Sequence, residues 1–164
     1  MPDEQISSEP YILFELAGTT YGVRSDLVQQ MEMIEQITPV PNAPHFVDGV
    51  VFSRGQVIPA LNLRGRFGFE RMPYDLRTRL VVVKTNGRTV GLVVDTAREF
   101  ISIPFNAIRP PHETITGLSG RYLEGIATIG ERIILILNLD EVLNLSEYLI
   151  GDQQPTISGQ LEGV

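Results

Sequence analysis

An internal repeat is the feature of the sequence that most restricts the fold, because it requires one structural unit to be built twice. When the segment that starts at Tyr11 is aligned without gaps to the segment that starts at Leu80, the offset is 69 residues. Apolar positions coincide along the alignment, and so do four marker residues: Gly18 with Gly87, Thr20 with Thr89, Gly22 with Gly91, and Asp26 with Asp95. We interpret the match as a duplicated unit rather than as chance.

A second block repeats further along the chain, with an offset of 76 residues. In both copies an asparagine follows an apolar run near the end of the block, at Asn62 and Asn138. The two offsets differ by seven residues, which indicates an insertion in the second copy within the Gly-, Pro-, Thr- and Ser-rich stretch 110–120. The aligned blocks are 47–50 with 123–126 and 57–63 with 133–139.

Strand patterns dominate both units. Leu80–Val83 is a continuous apolar run, and Asn86-Gly87 joins it to Thr89–Val94. Asn-Gly is typical of two-residue hairpin turns, because both positions require a positive φ. Each unit of about 65–70 residues and about five strands has the size at which a small sheet closes and loses its edges. The sequence therefore predicts a mainly β fold of two barrels side by side.

Four segments are predicted along the chain. Residues 1–10 and 150–164 are polar and lack an apolar period, so we expect flexible tails there. The first β-barrel unit is predicted over 11–76, and the second unit with its closing helix over 77–149. The sequence leaves open whether the two barrels exchange a strand.

Few helices are expected, and they are short. A segment that Ser25 or Asp26 can cap has helical apolar spacing as far as about Ile34. A second helix is predicted to begin at Asn138, because Glu141 three residues later completes a variant of the capping box.

The composition argues against several classes of protein. The chain has 13 Lys and Arg residues against 20 Asp and Glu residues, and its net charge of −7 opposes general attraction to nucleic acid or anionic membranes. It contains no cysteine, which excludes disulfides, a thiol nucleophile and cysteine-ligated metals. No apolar run approaches the ~20 residues of a membrane span, so no direct membrane insertion is expected.

The search for catalytic or metal-binding residues is negative. The two histidines, His45 and His112, lie in proline-containing loops and do not have the spacing of metal ligands. Neither the nucleophile-elbow motif nor a phosphate-binding loop occurs. Asp26 and Asp95 are a conceivable pair of catalytic carboxylates, but their equivalence in the repeat explains them more simply as turn or cap residues. We therefore expect no enzymatic activity, no metal and no cofactor.

Most of the positively charged side chains are arginines. Six arginines lie in the stretch from Arg54 to Arg79, where Glu70 and Asp75 are the only acidic residues. Because arginine binds carboxylates through two parallel hydrogen bonds, it is enriched at protein interfaces. An alternative is a small β-barrel module that binds nucleic acid through the Arg64–Arg79 stretch. Few exposed aromatic residues are interleaved there, and the total charge of the chain is unfavourable for this alternative.

A series of motifs runs in a specific order and spacing from Tyr11 to Leu145. They are Phe14-x-Leu16, Tyr21-Gly22-Val23, Pro41-x-Ala43-Pro44-x-Phe46-Val47-x-Gly49-Val50, Arg54-Gly55-x-Val57-Ile58-Pro59-x-Leu61-x-Leu63-Arg64, Val90-Gly91-Leu92-Val93-Val94-Asp95, Tyr122-Leu123-x-Gly125 and Ile133–Leu139. Together they resemble the CheW family, the coupling proteins of bacterial chemosensory arrays. The resemblance implies two tandem five-stranded SH3-like β-barrels with a few short helices, and a non-catalytic adaptor.

The resemblance also implies partners. Members of the family bind the regulatory domain of the CheA-type histidine kinase, itself a similar double barrel, and the cytoplasmic tip of chemoreceptors. Barrel ends pair between adaptor and kinase, and the receptor tip, a helical hairpin, docks in the groove between the barrels. This implies a cytoplasmic protein recruited to receptor arrays at the inner face of the membrane. The residues that contact the kinase are not assigned.

Carried over position by position, the resemblance implies five residues that face the receptor: Val28, Gly49, Arg54, Gly91 and Phe100. Arg54 is expected to be the polar anchor for a receptor carboxylate or carbonyl. Gly49 and Gly91 are expected to allow close approach of the backbone, with turn or bulge geometry as the alternative explanation. Phe52-Ser53 precedes Arg54 where Asn-Leu is usual in the family. Such departures leave room for a specialised array, such as one that controls pili.

Overall fold

The architecture is mainly β in the computed structural model, which describes residues 7–111 and 118–144. The strands are β1 (Ser8–Leu16), β2 (Thr19–Arg24), β3 (Val28–Met33), β4 (Val47–Ser53), β5 (Gln56–Asn62), β6 (Arg79–Thr85), β7 (Arg88–Val94), β8 (Thr96–Pro104), β9 (Ile108–Arg109), β10 (Leu123–Ile129) and β11 (Arg132–Leu137). The helices are α1 (Leu63–Phe67), α2 (Leu118–Arg121) and α3 (Leu139–Val142), with 3-10 turns at Ser25–Leu27 and Phe105–Ala107.

The strands form two sheets in which repeat-equivalent strands occur in the same order. One sheet runs β8-β1-β2-β11-β10-β9, and the other runs β3-β6-β7-β5-β4. In the first, β8 continues through a 3-10 turn into the short β9, which pairs with β10 at the opposite edge and so closes the sheet. In the second, an isolated bridge between Thr38, which follows the edge strand β3, and Val50 of the opposite edge strand β4 closes the sheet in the equivalent way. The predicted fold class is confirmed, and we call the two sheets the six-stranded and the five-stranded barrel.

Each barrel takes strands from both copies of the repeat. The β1–β2 hairpin of the first copy pairs with β8 and β11, and the β6–β7 hairpin of the second copy pairs with β3 and β5. Only Ser25–Leu27 separates β2 from β3, and only Asp95 separates β7 from β8, so the chain passes directly from one barrel into the other at these two crossovers. The predicted boundary between 76 and 77 divides the sequence repeat but does not divide the barrels.

Alternate residues of the central strands lie in different apolar clusters. On β6, Leu80 and Val82 lie in a cluster inside the five-stranded barrel, whereas Val81 and Val83 lie in a larger cluster. The larger cluster draws buried side chains from strands of both barrels, so it lies between them, and we call it the inter-barrel cluster. Because both faces of β6 are buried, its sequence is a continuous apolar run rather than an alternating one.

Local chemistry explains the turn and the helix starts. Asn86 and Gly87 adopt φ values of 53° and 76°, which confirms the predicted two-residue hairpin turn. The Asn138 side chain accepts a hydrogen bond from the Glu141 N–H at 3.2 Å, which confirms the predicted start of α3. Asn62 caps α1 in the same way in the first copy.

Two predictions about local structure are wrong. The segment from Ser25 to Ile34 is not a helix but a 3-10 turn followed by β3, which pairs with β6. Pairing with a strand distant in sequence outweighs the local helical spacing here. The prediction of a tail over 1–10 is also wrong for its last residues, because β1 begins at Ser8 and its first residues pair with β8. Residues 1–6 lie outside the described part of the chain. The predicted tail 150–164 and His112 lie outside the described residues.

Candidate functional site

The predicted receptor-facing residues are distributed over both barrels. Val28 begins β3, Gly49 lies in β4, Arg54 lies in the β4–β5 turn and Gly91 lies in β7, all in the five-stranded barrel. Phe100 lies in β8 of the six-stranded barrel, where its side chain is 64% exposed. Val28 is half-buried and packs against the inter-barrel cluster.

Arg54 lies at the tip of the β4–β5 hairpin and is exposed. Its φ is 50° and that of Gly55 is 83°, which is the backbone of a tight two-residue turn. Within residues 7–111 and 118–144, the Arg54 guanidinium forms no hydrogen bond or ion pair. The tip therefore presents a positive charge that is available to a partner.

Two apolar side chains flank this charge. Phe52 and Val57 are paired across the hairpin, and they are 75% and 63% exposed. Exposed aromatic and aliphatic side chains beside an arginine are typical of the energetically important part of a protein interface. We call Phe52–Val57 the Arg54 hairpin. Phe52 and Val57 were not predicted as site residues, although their symmetrical spacing about the two-residue turn was a usable signal.

Polar side chains link β3 to the Arg54 hairpin. Gln30 Nε2 donates to Ser53 Oγ at 2.7 Å, and Ser53 Oγ donates to Glu32 Oε2 at 2.7 Å. Gln30 also donates to Glu32. These hydrogen bonds tie the middle of β3 to the residue that precedes Arg54.

Gly49 and Gly91 are both buried in the five-stranded barrel. At Gly49, where φ is 147°, a Cβ atom would lie 2.2 Å from the carbonyl oxygen of Thr38. At Gly91, a Cβ atom would lie 2.7 Å from Cδ1 of Leu80. Internal packing therefore accounts for both glycines, and their direct contact with a receptor stays a prediction.

Arg66, which follows the Arg54 hairpin in the sequence, is bonded inside the molecule. Arg66 donates to the carbonyl oxygen of Val142, the last residue of α3, and to that of Asn144 just after it, each at 2.8 Å. Its guanidinium carbon also lies 4.9 Å from the ring centre of Phe46 and 5.0 Å from that of Tyr122. Such cation–π contacts and carbonyl hydrogen bonds hold α1 and α3 together.

Arg71 has an internal role in the connector, residues 68–78, which joins α1 to β6. It donates to Asp48 and to the carbonyl oxygen of His45, the latter at 2.9 Å. Asp48 also accepts from the Tyr74 hydroxyl and, at 2.9 Å, from Asn62 Nδ2. Burial, and then the hydrogen bond to the Asp48 carboxylate, raise the pKa of the Tyr74 hydroxyl well above its ordinary value.

The described residues offer no group of three or more His, Asp or Glu side chains arranged to hold a metal ion. His45 is exposed in a loop beside Phe46. Among the helices of the described chain, none has the length and apolar character needed to cross a membrane.

Comparisons with known proteins point to one family. Residues 10–147 match the CheW-like domain family. The chain is 31% identical over 144 residues to the chemotaxis protein CheW of Klebsiella aerogenes, an alignment that covers 88% of this chain and 87% of that protein. It is 30% identical over 133 residues to the chemotaxis protein CheW of Thermotoga maritima, with 79% and 84% covered.

A solved structure agrees with the sequence comparisons. The crystal structure of the scaffolding protein TtCheW from Thermoanaerobacter tengcongensis superimposes with a TM-score of 0.78 at 30% identity, covering 84% of this chain and 94% of that one. The family match over residues 10–147 includes strands of both barrels and the two crossovers between them. The chain therefore belongs to the CheW-like family.

Proposed function

We propose that this protein is a non-catalytic scaffold that couples chemoreceptors to a CheA-type histidine kinase in chemotaxis signalling. Membership of the CheW-like family over residues 10–147 supports the scaffold role. The observation that carries the proposal is the Arg54 hairpin. Its guanidinium has no hydrogen bond or ion pair among the described residues, and the exposed side chains of Phe52 and Val57 lie on either side of the turn in sequence. We place the protein in the cytoplasm, at receptor arrays on the inner face of the membrane, because both partners meet there.

The receptor tip is proposed to dock in the groove between the barrels, with Arg54 as its polar anchor. A guanidinium with no partner in the described part of the chain can bind a carboxylate or a carbonyl of the receptor without breaking a hydrogen bond seen there. Val28 and Phe100 are proposed to contribute apolar contacts from the two barrels. Gly49 and Gly91 are proposed to allow close approach of the receptor to the backbone.

The kinase regulatory domain is proposed to contact the end of the five-stranded barrel through Phe52 and Val57. Two large apolar side chains are exposed to water at one hairpin, and their burial under a partner would contribute favourably to the free energy of binding. In this arrangement Arg54 and its apolar neighbours place receptor and kinase side by side, which a coupling protein requires.

Isothermal titration tests both contacts with the full chain. The unmodified protein is expected to bind the regulatory domain of a CheA-type kinase from the same genome with a Kd of about 1 μM or less. It is also expected to bind a helical-hairpin fragment of the receptor tip. If a correctly folded regulatory domain shows no binding, the proposed function is wrong.

Matched variants separate the two contacts. Arg54→Glu is expected to weaken receptor binding by about tenfold or more, whereas Lys84→Glu makes the same change of charge at another exposed position and is expected to have no effect. Phe52→Ser is expected to weaken kinase binding, with Leu76→Ser, which removes an 82% exposed side chain from the connector, as the control. Unchanged affinity for Arg54→Glu or for Phe52→Ser contradicts the role of that residue.

The alternative of nucleic-acid binding through Arg64–Arg79 is not favoured by the contacts. The guanidinium groups of Arg64, Arg66 and Arg71 bind acceptors within the chain. Phosphate contacts would compete with these bonds, and the net charge of −7 opposes the approach of a polyanion.

A further inference from the structure

The two crossovers between the barrels are equivalent in the repeat but differ in structure. Asp95 is the single residue between β7 of the five-stranded barrel and β8 of the six-stranded barrel. Asp26, its equivalent in the first copy, lies in the 3-10 turn between β2 and β3. The chain thus contains one aspartate at each crossover, and the surroundings of the two carboxylates can be compared directly.

Asp95 is bonded to both barrels. Its N–H donates to the carbonyl oxygen of Glu15 at 3.1 Å, and its carboxylate accepts the N–H of Ala17 at 2.9 Å. Glu15 and Ala17 belong to the end of β1 and the β1–β2 turn, in the six-stranded barrel. The same carboxylate accepts hydrogen bonds from Nε and Nη2 of Arg64, at 2.9 and 2.7 Å. Arg64 lies in α1, directly after β5 of the five-stranded barrel.

The contact between Arg64 and Asp95 is directional and partly shielded from water. The two side chains are 19% and 33% exposed. Two parallel N–H···O bonds fix the plane of the guanidinium relative to the carboxylate. Arg64 Nη1 donates in addition to the carbonyl oxygen of Glu70 at 2.9 Å, so the guanidinium is held from two sides. Burial raises the pKa of Asp95, but the hydrogen bonds from Arg64 and Ala17 outweigh it and lower the pKa below its ordinary value.

Asp26 lacks comparable bonds. Its side chain is 73% exposed, and its only ion pair among the described residues is a 3.9 Å contact with Nε of Arg24. No side-chain hydrogen bond caps the 3-10 turn in which it lies. At this crossover the polar contacts between the barrels bypass Asp26. Asn86 Nδ2 and Thr85 Oγ1 donate to Asp140 at 2.9 and 3.2 Å, and Arg88 donates to the carbonyl oxygen of Leu143 at 2.7 Å.

We propose that Asp95, through Arg64 and the Ala17 N–H, fixes the orientation of one barrel relative to the other and is thereby a positioning residue for receptor binding. The second half of this inference rests on the proposed function, in which the receptor tip docks in the groove between the barrels. The shape of such a groove depends on the angle between the barrels. A contact confined to one barrel, as proposed for the kinase, does not depend on that angle.

The orientation is tested by distance measurement between spin labels. The chain has no cysteine, so Val57→Cys and Ile133→Cys introduce one label on each barrel at repeat-equivalent, exposed positions. We expect a single narrow distance distribution for the labelled parent protein. Asp95→Ala and Arg64→Ala are expected to broaden or shift this distribution, Arg64→Lys is expected to do so less, and Asp26→Ala is expected to leave it unchanged. A distribution that stays unchanged in Asp95→Ala overturns the proposal, and so does equal broadening in Asp26→Ala.

The effect on binding is tested in the unlabelled chain. Asp95→Ala is expected to weaken binding of the receptor-tip fragment about tenfold while changing kinase affinity by less than about twofold. Asp26→Ala is expected to change neither affinity. If Asp95→Ala lowers both affinities equally, the residue only stabilises the fold, and the positioning role is wrong. If Asp95→Ala does not fold, Asp95→Asn, which keeps the size of the side chain, replaces it in both experiments.

The two proposals fail in different ways. If the unmodified protein does not bind the receptor fragment, the proposed function is wrong, while the spin-label distances still decide whether Asp95 fixes the orientation of the barrels. If the unmodified protein binds both partners and Asp95→Ala binds both equally well, the proposed function stands and the positioning role of Asp95 is wrong.

Discussion

Gly49 lies directly against the carbonyl group of Thr38, at the point where the five-stranded barrel closes. Two backbone hydrogen bonds of 2.9 Å join Thr38 to Val50 there. We expect Gly49→Ala to destabilise the protein by about 2–4 kcal/mol, because the new Cβ forces this closure apart at a backbone conformation that alanine disfavours. Gly55→Ala also has a positive φ but open space around the Cβ, so its cost is expected to be about 1–2 kcal/mol.

Urea denaturation of the two variants checks this difference. Equal destabilisation by the two substitutions contradicts the role of Gly49 in closing the barrel. A loss of receptor binding in Gly49→Ala cannot by itself be attributed to a missing contact, because the variant is also expected to disturb the strand that leads to Arg54.

Arg54 adopts a positive φ that asparagine tolerates better than arginine. We expect Arg54→Asn to raise the free energy of unfolding by about 0.5–1 kcal/mol, because it relieves this strain and forms the preferred Asn-Gly turn with Gly55. The same variant is expected to lose receptor affinity, because it removes the charge. Chemical denaturation and titration of one preparation measure both effects, and a decrease in stability contradicts the assignment of strain to this residue.

Each barrel contains a hairpin from the other copy of the repeat, and we call this arrangement the exchanged topology. It predicts that neither half of the sequence folds alone. A fragment of residues 1–76 lacks the β6–β7 hairpin, and a fragment of 77–164 lacks the β1–β2 hairpin. Each is expected to give the poorly dispersed NMR spectrum of an unfolded chain, whereas an equimolar mixture is expected to recover the native spectrum. Native-like dispersion from either fragment alone contradicts the exchanged topology.

The raised pKa of the Tyr74 hydroxyl leads us to expect that the free energy of unfolding depends on pH in the alkaline range. The pKa of its hydroxyl is raised in the folded protein, so its contribution to stability is complete below the unfolded pKa of about 10 and is lost as the pH rises above that value. The difference in unfolding free energy between the unmodified protein and Tyr74→Phe is therefore expected to shrink above about pH 10. Tyr11 and Tyr21 also have raised pKa values but occur in both proteins, so their effects cancel. A constant difference across this range contradicts the prediction.

The sequence could predict features whose cause is local. The Asn86-Gly87 turn and the Asn138 cap depend on residues within a few positions of each other, and both are confirmed. The helix predicted to end near Ile34 is wrong because its segment pairs with β6, which is distant in sequence. The boundary predicted at 76 follows the repeat, and the repeat does not reveal which strands pair across it.

The same distinction applies to the candidate site. Arg54 could be selected from its motif, and its exposure in a turn is compatible with the predicted role. The arginine stretch after it was open to several interpretations, because the sequence does not show that Arg66 binds carbonyl oxygens at the C-terminal end of α3. Phe52 and Val57 were missed because apolar residues in a strand are usually assigned to a core, and their exposure depends on the tertiary fold.

The exchange of hairpins between the barrels sets an order for events on the ribosome. When the first copy of the repeat has emerged, β3, β4 and β5 still lack the β6–β7 hairpin that completes their barrel. The β1–β2 hairpin must wait longer, until β8 and then β10 and β11 have been synthesised. The nascent chain therefore carries unpaired strand edges and an uncovered apolar face through most of translation. Such segments are exposed to aggregation, and they are natural substrates for chaperones that act on emerging chains.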